Sequence, residues 1–226
     1  QAWPKITSHS FWSAGTLTLY AIAFSYAYIT LPTGAGALIL FGGVQVIAFS
    51  ITLMRGQKIG LFSWLGASLA FGGLCYLLWP DQASDIDPFG SALMVLSALG
   101  WTLYTMAGAR SSDPLGATML AFVLAAPVAI IAWFILPDTI STRGVLLAML
   151  SGAVTSGMGY ALWYKVLPSL SMPTAAVAQL TVPVIAALGG ALLLGELLSL
   201  RFVLATGLVL CGVGLTIYGQ AQDRAL

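Results

Sequence analysis

Charge is what this sequence has least of. Eight basic and seven acidic residues in 226, with hydrophobic residues at 59%, cannot clothe a soluble domain, in which roughly a quarter of residues are charged. A water-soluble fold is excluded, and with it a string of soluble domains. Histidine is almost absent: His9 stands alone in the polar N-terminal segment, so an intramembrane Ser/His hydrolase would have no deep base. Cysteine is limited to Cys75 and Cys211, each inside an apolar run and without a CxxC neighbour. That pattern gives neither a metal site nor a structural disulfide, and the expectation is two buried thiols. A phosphate-cradling glycine loop is missing, which argues against a built-in ATPase. The net charge of +1, with no basic cluster, gives no case for nucleic acid. No enzyme, cofactor or metal is expected.

What is there is apolar sequence in long pieces. No charged residue separates His9 from Arg55, a gap with room for two helices and a natural break at Leu31-Pro32. Further charge-free runs separate Lys58 from Asp81, Asp87 from Arg110, Asp113 from Asp138, Arg143 from Lys165, Lys165 from Glu196, and Arg201 from Asp223. Each exceeds the roughly 20 residues that a helix needs to cross about 30 Å of hydrocarbon. Eight spans are expected, near 11–30, 33–54, 60–79, 89–109, 115–136, 144–166, 174–195 and 202–219. The runs are continuous rather than alternating, so a strand barrel is excluded and the fold class is an all-α integral membrane bundle.

Loop charge orients the bundle. With the N-terminal segment in the cytoplasm, Lys5, Arg55, Lys58, Arg110, Lys165 and Arg224 fall inside, and only Arg143 and Arg201 fall outside. The acidic residues Asp81, Asp85, Asp87, Asp138 and Glu196 then face outward, and both ends of the chain are cytoplasmic.

The chain also repeats itself. Pro32-Thr33 recurs about 141 residues later as Pro173-Thr174, each at the head of an apolar run. Leu65-Gly66 and Gly73-Leu74 recur at that offset as Thr206-Gly207 and Gly214-Leu215, and Tyr20 answers to Tyr160. The period is far too long for a solenoid and suggests a duplicated transport unit. Residues 81–226 then form a second unit of five helices, and 1–80 the last three helices of the first. Applying the offset places the start of the first unit roughly 50 to 55 residues ahead of Gln1, room for two more helices. The expectation is eight helices of ten, and five per unit makes the two repeats inverted.

Several segments then resemble a known family. Tyr160-Ala-Leu-Trp-Tyr164, Pro173-Thr-Ala-Ala176, Pro183-Val-Ile-Ala-Ala187, Gly195-Glu196 and the glycine-spaced stretch from Gly207 to Gly214 are similar to the signature half of the EamA-type transporters of the drug/metabolite transporter superfamily. Ala98-Leu-Gly-Trp101-Thr-Leu-Tyr104-Thr-Met-Ala-Gly-Ala-Arg110, followed by Asp113-Pro114, resembles the first helix of that family's second repeat. The resemblance covers essentially the whole chain. It implies ten helices in two inverted repeats and solute export or exchange by alternating access. One departure is visible: where the second copy has Gly195-Glu196, the first reads Gly56-Gln57-Lys58.

Repeat transporters bind solute near the midplane, beside helices broken by Pro or Gly. In the span 33–54 the candidate is the deep Gln45; in the span 174–195 they are Gln179 and Thr181, with Pro183 removing a backbone donor and freeing the carbonyl near Gln179. Pro32, Pro173 and Pro183 are candidate helix breaks. The glycines of these spans serve close packing equally well. Aromatic faces supply the other candidates. Trp101, Tyr104 and Thr105 share a face with Ser97; Tyr160, Trp163 and Tyr164 share one with Ser156; Thr16, Tyr20 and Phe24 share a third. Such faces could enclose an amphipathic solute, or belong to the interfacial belt. Trp3, Trp12, Trp64, Trp79 and Trp133 lie near span ends and fit the belt, as do Trp163 and Tyr164, whereas Tyr20, Trp101 and Tyr160 are deep.

No Asp, Glu, Lys or Arg lies in the core of any span, so an ionised coupling relay is not expected in these spans: either the transporter is a facilitator or exchanger, or its coupling carboxylate belongs to the two further helices of the first unit. The reading is a monomeric secondary transporter of the bacterial inner membrane. Its solute is a small neutral or zwitterionic amphipathic metabolite, an amino acid or related compound, and its surroundings are the lipid bilayer. The alternatives are an exporter of drugs or cationic compounds from the same superfamily, a channel, or a structural membrane protein.

Overall fold

The computed structural model describes residues 6–79, 87–135, 141–194 and 199–223. Among the described residues all regular structure is helical: α1 (Ser8–Thr30), α2 (Thr33–Met54), α3 (Leu61–Leu78), α4 (Pro88–Ala109), α5 (Pro114–Ile135), α6 (Thr142–Leu150), α7 (Gly157–Val166), α8 (Met172–Ala178), α9 (Val182–Leu194) and α10 (Leu200–Asp223). Helix occupies each of the eight expected spans. Six are long and apolar enough to cross a membrane, and Met172–Ala186 adds a shorter apolar stretch. At 23 residues α1 is long enough, but Ser8, Ser10, Ser13, Thr16 and Thr18 dilute its apolar character. Trp3, Lys5, Asp81, Asp85, Asp138, Gly195, Glu196 and Arg224 lie outside the described residues, as does the expected boundary at 80–81.

Local chemistry sets the helix ends. Pro32, at φ −59° and ψ 143°, leads into α2; a proline is preorganised there and its missing N–H costs nothing. Ser171 caps α8, its hydroxyl accepting from the Thr174 N–H at 3.3 Å, with Pro173 in the first turn. Pro32 and Pro173 therefore open helices, and only Pro183 marks an interruption. Between α8 and α9 the chain tightens into a 3-10 turn over Gln179–Thr181, just where Pro183 cannot donate to the carbonyl of Gln179. A second irregularity joins α6 to α7, a π-helical segment at Ser151–Ser156.

The chain forms two compact units, one of Gln1–Ile22 with Gly100–Leu170, the other of Ala23–Leu99 with Ser171–Leu226. In the second, α3 and α10 pack backbone to backbone. A methyl group built on Gly212 would lie 2.5 Å from both the Ala70 nitrogen and the Gly66 oxygen, so only glycine allows this approach. Beside the seam, Phe49, Leu74, Val177, Leu180, Val184, Phe202 and Val209 form the core. The duplicated glycines do not behave alike: Gly66 and Gly73 meet α10, whereas Gly207 and Gly214 face open space, and Gly212 and Gly219 do the packing. The expectation of two buried thiols is corrected. Cys75 is half-buried and Cys211 is exposed, because α10 turns Ala205, Val209, Gly212 and Thr216 inward and leaves residue 211 on the far side. Arg201 closes one end of the seam, donating at 2.6 Å to the carbonyls of both Tyr76 and Trp79. It thereby satisfies carbonyls that the end of α3 leaves without helical partners.

Candidate functional site

The first unit gathers the deep aromatic residues into one cluster. Tyr20 comes from α1, Trp101 and Tyr104 from α4, Phe122 from α5, and Tyr160 and Tyr164 from α7. Helical spacing aligns Trp101 with Tyr104, and Tyr160 with Tyr164. Backbone approach brings the helices close: a methyl on Gly100 would lie 2.7 Å from the Tyr20 nitrogen and 2.9 Å from the Thr16 oxygen. The Tyr20 and Trp101 rings are 4.8 Å apart between centroids, and Trp101 lies 5.9 Å from Tyr104 and 6.0 Å from Tyr160. Tyr104 meets Tyr164 edge to face at 5.8 Å, Phe122 meets Tyr160 likewise at 5.2 Å, and Tyr160 stacks on Tyr164 at 6.2 Å. These separations lie within the range of favourable ring pairs, each contributing about 0.5–1.5 kcal/mol beyond area burial.

Polar atoms punctuate the cluster. The Tyr104 hydroxyl donates to Thr118 Oγ1 at 3.2 Å. The Tyr164 hydroxyl, the Thr105 hydroxyl and the Trp163 indole nitrogen are buried with no hydrogen-bond partner. Tyr104 and Tyr164 are 1% and 2% exposed, too deep for an interfacial belt. The cluster can thus offer ring faces to an apolar body, with hydroxyl and indole groups at its edges to orient a polar group. No ionisable carboxylate, amine or guanidinium belongs to it.

The expected residues fall into three outcomes. Tyr20, Trp101, Tyr104 and Tyr160 come together. Trp163 lies on the neighbouring face of α7, half-buried, and is absent from the ring contacts. Tyr164, which in sequence fits the belt as well as an aromatic face, is a core member packed on Tyr104, with its ring against Gly108. Phe122 carried no sequence signal, because α5 is apolar all round. Of the belt tryptophans, Trp12, Trp64 and Trp79 are exposed, as a belt requires.

Gln45, Gln179 and Thr181 belong to the second unit. Gln45 Nε2 donates to the Ala67 carbonyl at 3.1 Å, which leaves Oε1 buried and without a partner. It lines a cavity of about 190 Å³ with Gly42, Phe49, Trp64, Ser68 and Phe71. Gln179, 6% exposed, turns its amide back to the Ala175 carbonyl at 3.2 Å. Thr181 likewise donates to Ala178 at 2.8 Å. Both side chains thus supply local partners around the 3-10 turn.

The EamA-like transporter family matches residues 88–218. Uncharacterized protein PA1977 of Pseudomonas aeruginosa is 46% identical over 207 residues, covering 90% of this chain and 71% of that protein. An uncharacterized transporter of Archaeoglobus fulgidus is 27% identical over 210 residues, covering 89% and 74%. Uncharacterized transporter YwfM of Bacillus subtilis is 25% identical over 224 residues, covering 94% and 72%. A crystal structure superposes with a TM-score of 0.77 at 17% identity, over 96% of this chain and 77% of that one, a likeness of fold alone.

Proposed function

The chain belongs to the EamA-like transporter family, and we propose that it carries a small neutral or zwitterionic amphipathic metabolite, held by its apolar part among Tyr20, Trp101, Tyr104 and Tyr160. It is a multi-pass membrane transporter, not an enzyme. The observation that carries the solute class is the ring cluster itself: six aromatic side chains from four helices, hydroxyl and indole groups at the margin, and no ionised residue. Such a site gains affinity from apolar contact and meets polar groups with hydrogen bonds rather than ion pairs.

Movement by alternating access between two inverted repeats, in the direction of export or exchange, is part of the same reading. The 3-10 turn at Gln179–Thr181 and the π segment at Ser151–Ser156 support it, since interruptions of regular helix are common where transport helices bend. A bacterial inner membrane is part of the same reading, and the loop charges support cytoplasmic chain ends. Ring faces also attract cations, so a cationic solute is the second reading.

The test is counterflow in proteoliposomes, screening amino acids, nucleosides and cationic drugs. Trp101→Ala and Tyr160→Ala should each lower uptake of the accepted solute on the order of tenfold or more. Unaltered transport in both variants would overturn the site. Acceptance of cationic drugs alone would overturn the solute class.

A further inference from the structure

At the end of the second unit where α2 stops and α3 begins, the structure holds a cavity with a polar rim. Its volume is about 390 Å³, and Thr52, Gln57, Lys58, Ser63, Ser171 and Gln220 supply its polar lining. Five chain segments deliver these groups: the last turn of α2, the turn into α3, the first turn of α3, the cap of α8 and the last turns of α10.

The turn after α2 is what seats the cation. Gly56 takes φ +71°, and the N–H groups of Gly56 and Gln57 donate to the carbonyls of Leu53 at 2.8 Å and Thr52 at 3.2 Å. These paired bonds reverse the chain at once through a left-handed residue, carrying Gln57 and Lys58 back over the end of α2. This is the stretch where the first repeat departs from the second, with Gln57-Lys58 in place of a glutamate. A carboxylate has been exchanged for an amide and a cation at the rim of a cavity.

The occupants already spoken for can be subtracted. Thr52 donates to the Ala48 carbonyl at 2.8 Å, and the Ser171 N–H donates to Gln220 Oε1 at 2.9 Å. Lys58 makes no ion pair among the described residues, and no acidic side chain lines the cavity. Ser63 is only 5% exposed and lines the cavity. Its hydroxyl can therefore donate to or accept from a group held in the cavity. Lys58 supplies charge, Ser63 and Gln57 supply donors, and no fixed anion competes. We infer that this cavity binds a phosphate-type oxyanion, in a place separate from the aromatic cluster. Both a phospholipid headgroup and a free phosphate carry that chemistry, and basic pockets at helix ends are suited to headgroups.

The experiment uses the full chain, purified in detergent and in nanodiscs. In detergent, inorganic phosphate is titrated at constant ionic strength against chloride while thermal unfolding is followed. In nanodiscs of zwitterionic lipid, phosphatidylglycerol is added stepwise. The same titrations are run on Lys58→Gln, Ser63→Ala and the control Arg55→Gln, which lies outside the lining. A saturable rise in Tm is expected, with half-saturation shifted upward about tenfold in Lys58→Gln, as expected for loss of a charge-assisted bond, less in Ser63→Ala, and unchanged in Arg55→Gln. A response to both additives supports the shared chemistry; phosphatidylglycerol alone assigns the headgroup, and phosphate alone the soluble ion. No saturable response, or equal responses in wild type and Lys58→Gln, would overturn the site. Solute transport need not change in any variant, so the outcome is independent of the aromatic site.

Discussion

The α3–α10 seam and the aromatic cluster answer the same physical problem in opposite ways. Both lie in spans where neighbouring lipid offers no hydrophobic gain for helix association, so contact must come from van der Waals fit and satisfied polar groups. The seam removes side chains: Gly66 and Gly212 let one backbone touch another. The cluster does the reverse and fills the space with six large rings, one of which, Tyr164, carries a hydroxyl without a hydrogen-bond partner among the described residues. A seam of that kind has no alternative arrangement, because nothing in it can rotate. The cluster is built from side chains with rotamers to exchange and groups still to bond. The first is a fixed strut and the second is where a solute can be accommodated.

Breaking the strut should have the largest effect. Gly212→Leu would drive a branched side chain into the Ala70 backbone, 2.5 Å from where its Cβ must sit, at a cost of roughly 3 kcal/mol. The expected result is loss of the monodisperse peak in size-exclusion chromatography. Gly207→Leu, at a glycine that faces open space, should leave the peak intact. Equal behaviour of the two would refute the seam.

The end of the strut should matter next. Arg201→Gln removes donors to two carbonyls and the cation placed 5.6 Å from the Tyr76 ring centroid. Because the site is partly exposed, a loss of roughly 1–2 kcal/mol is expected, read as a lowered Tm. Arg201→Lys should recover little, since one ammonium cannot match a guanidinium fork across two acceptors.

Within the cluster, paired substitutions separate structure from solute contact. Tyr104→Phe breaks the bond to Thr118 and should cost about 1 kcal/mol. Tyr164→Phe removes a hydroxyl with no protein partner, so Tm should hold or rise while KM for the solute increases. A Tyr164→Phe protein that loses stability and keeps its KM would show that the hydroxyl serves the fold instead.

Much of this was written in the sequence, and the gaps have physical reasons. Helical spans are legible because lipid demands long uninterrupted apolar runs. Tyr20, Trp101 and Tyr160 are legible because they are deep and share helical faces. Tyr164 is ambiguous in sequence, fitting both an aromatic face and the belt near a span end, because its burial comes from Tyr104 and Gly108 on another helix. Phe122 was invisible because one more aromatic in a uniformly apolar helix carries no contrast. The π segment was invisible because Ser-Gly-Ala-Val-Thr-Ser contains no proline to announce it. Contrast in polarity is what a single sequence displays; tertiary partners are what it hides.

The smallest effect belongs to a place that resembles neither region, the water-exposed start of α4. Asp87 accepts the Thr30 hydroxyl at 2.7 Å and the Gly90 N–H at 2.7 Å. The Thr30 bond first, and then the Gly90 bond, hold its carboxyl below the ordinary carboxylate value of 3.8. A carboxylate lowered on folding stabilises the fold at pH values above its unfolded pKa, and that contribution disappears as pH falls through the folded value. The window therefore lies in the acid range from about 4 downward. Exposure and salt screening keep the effect small. Asp87→Asn should lower Tm slightly at neutral pH and converge on the wild type in acid. A constant difference at every pH would show that Thr30 and Gly90 need only an acceptor at this position, and that its charge contributes nothing.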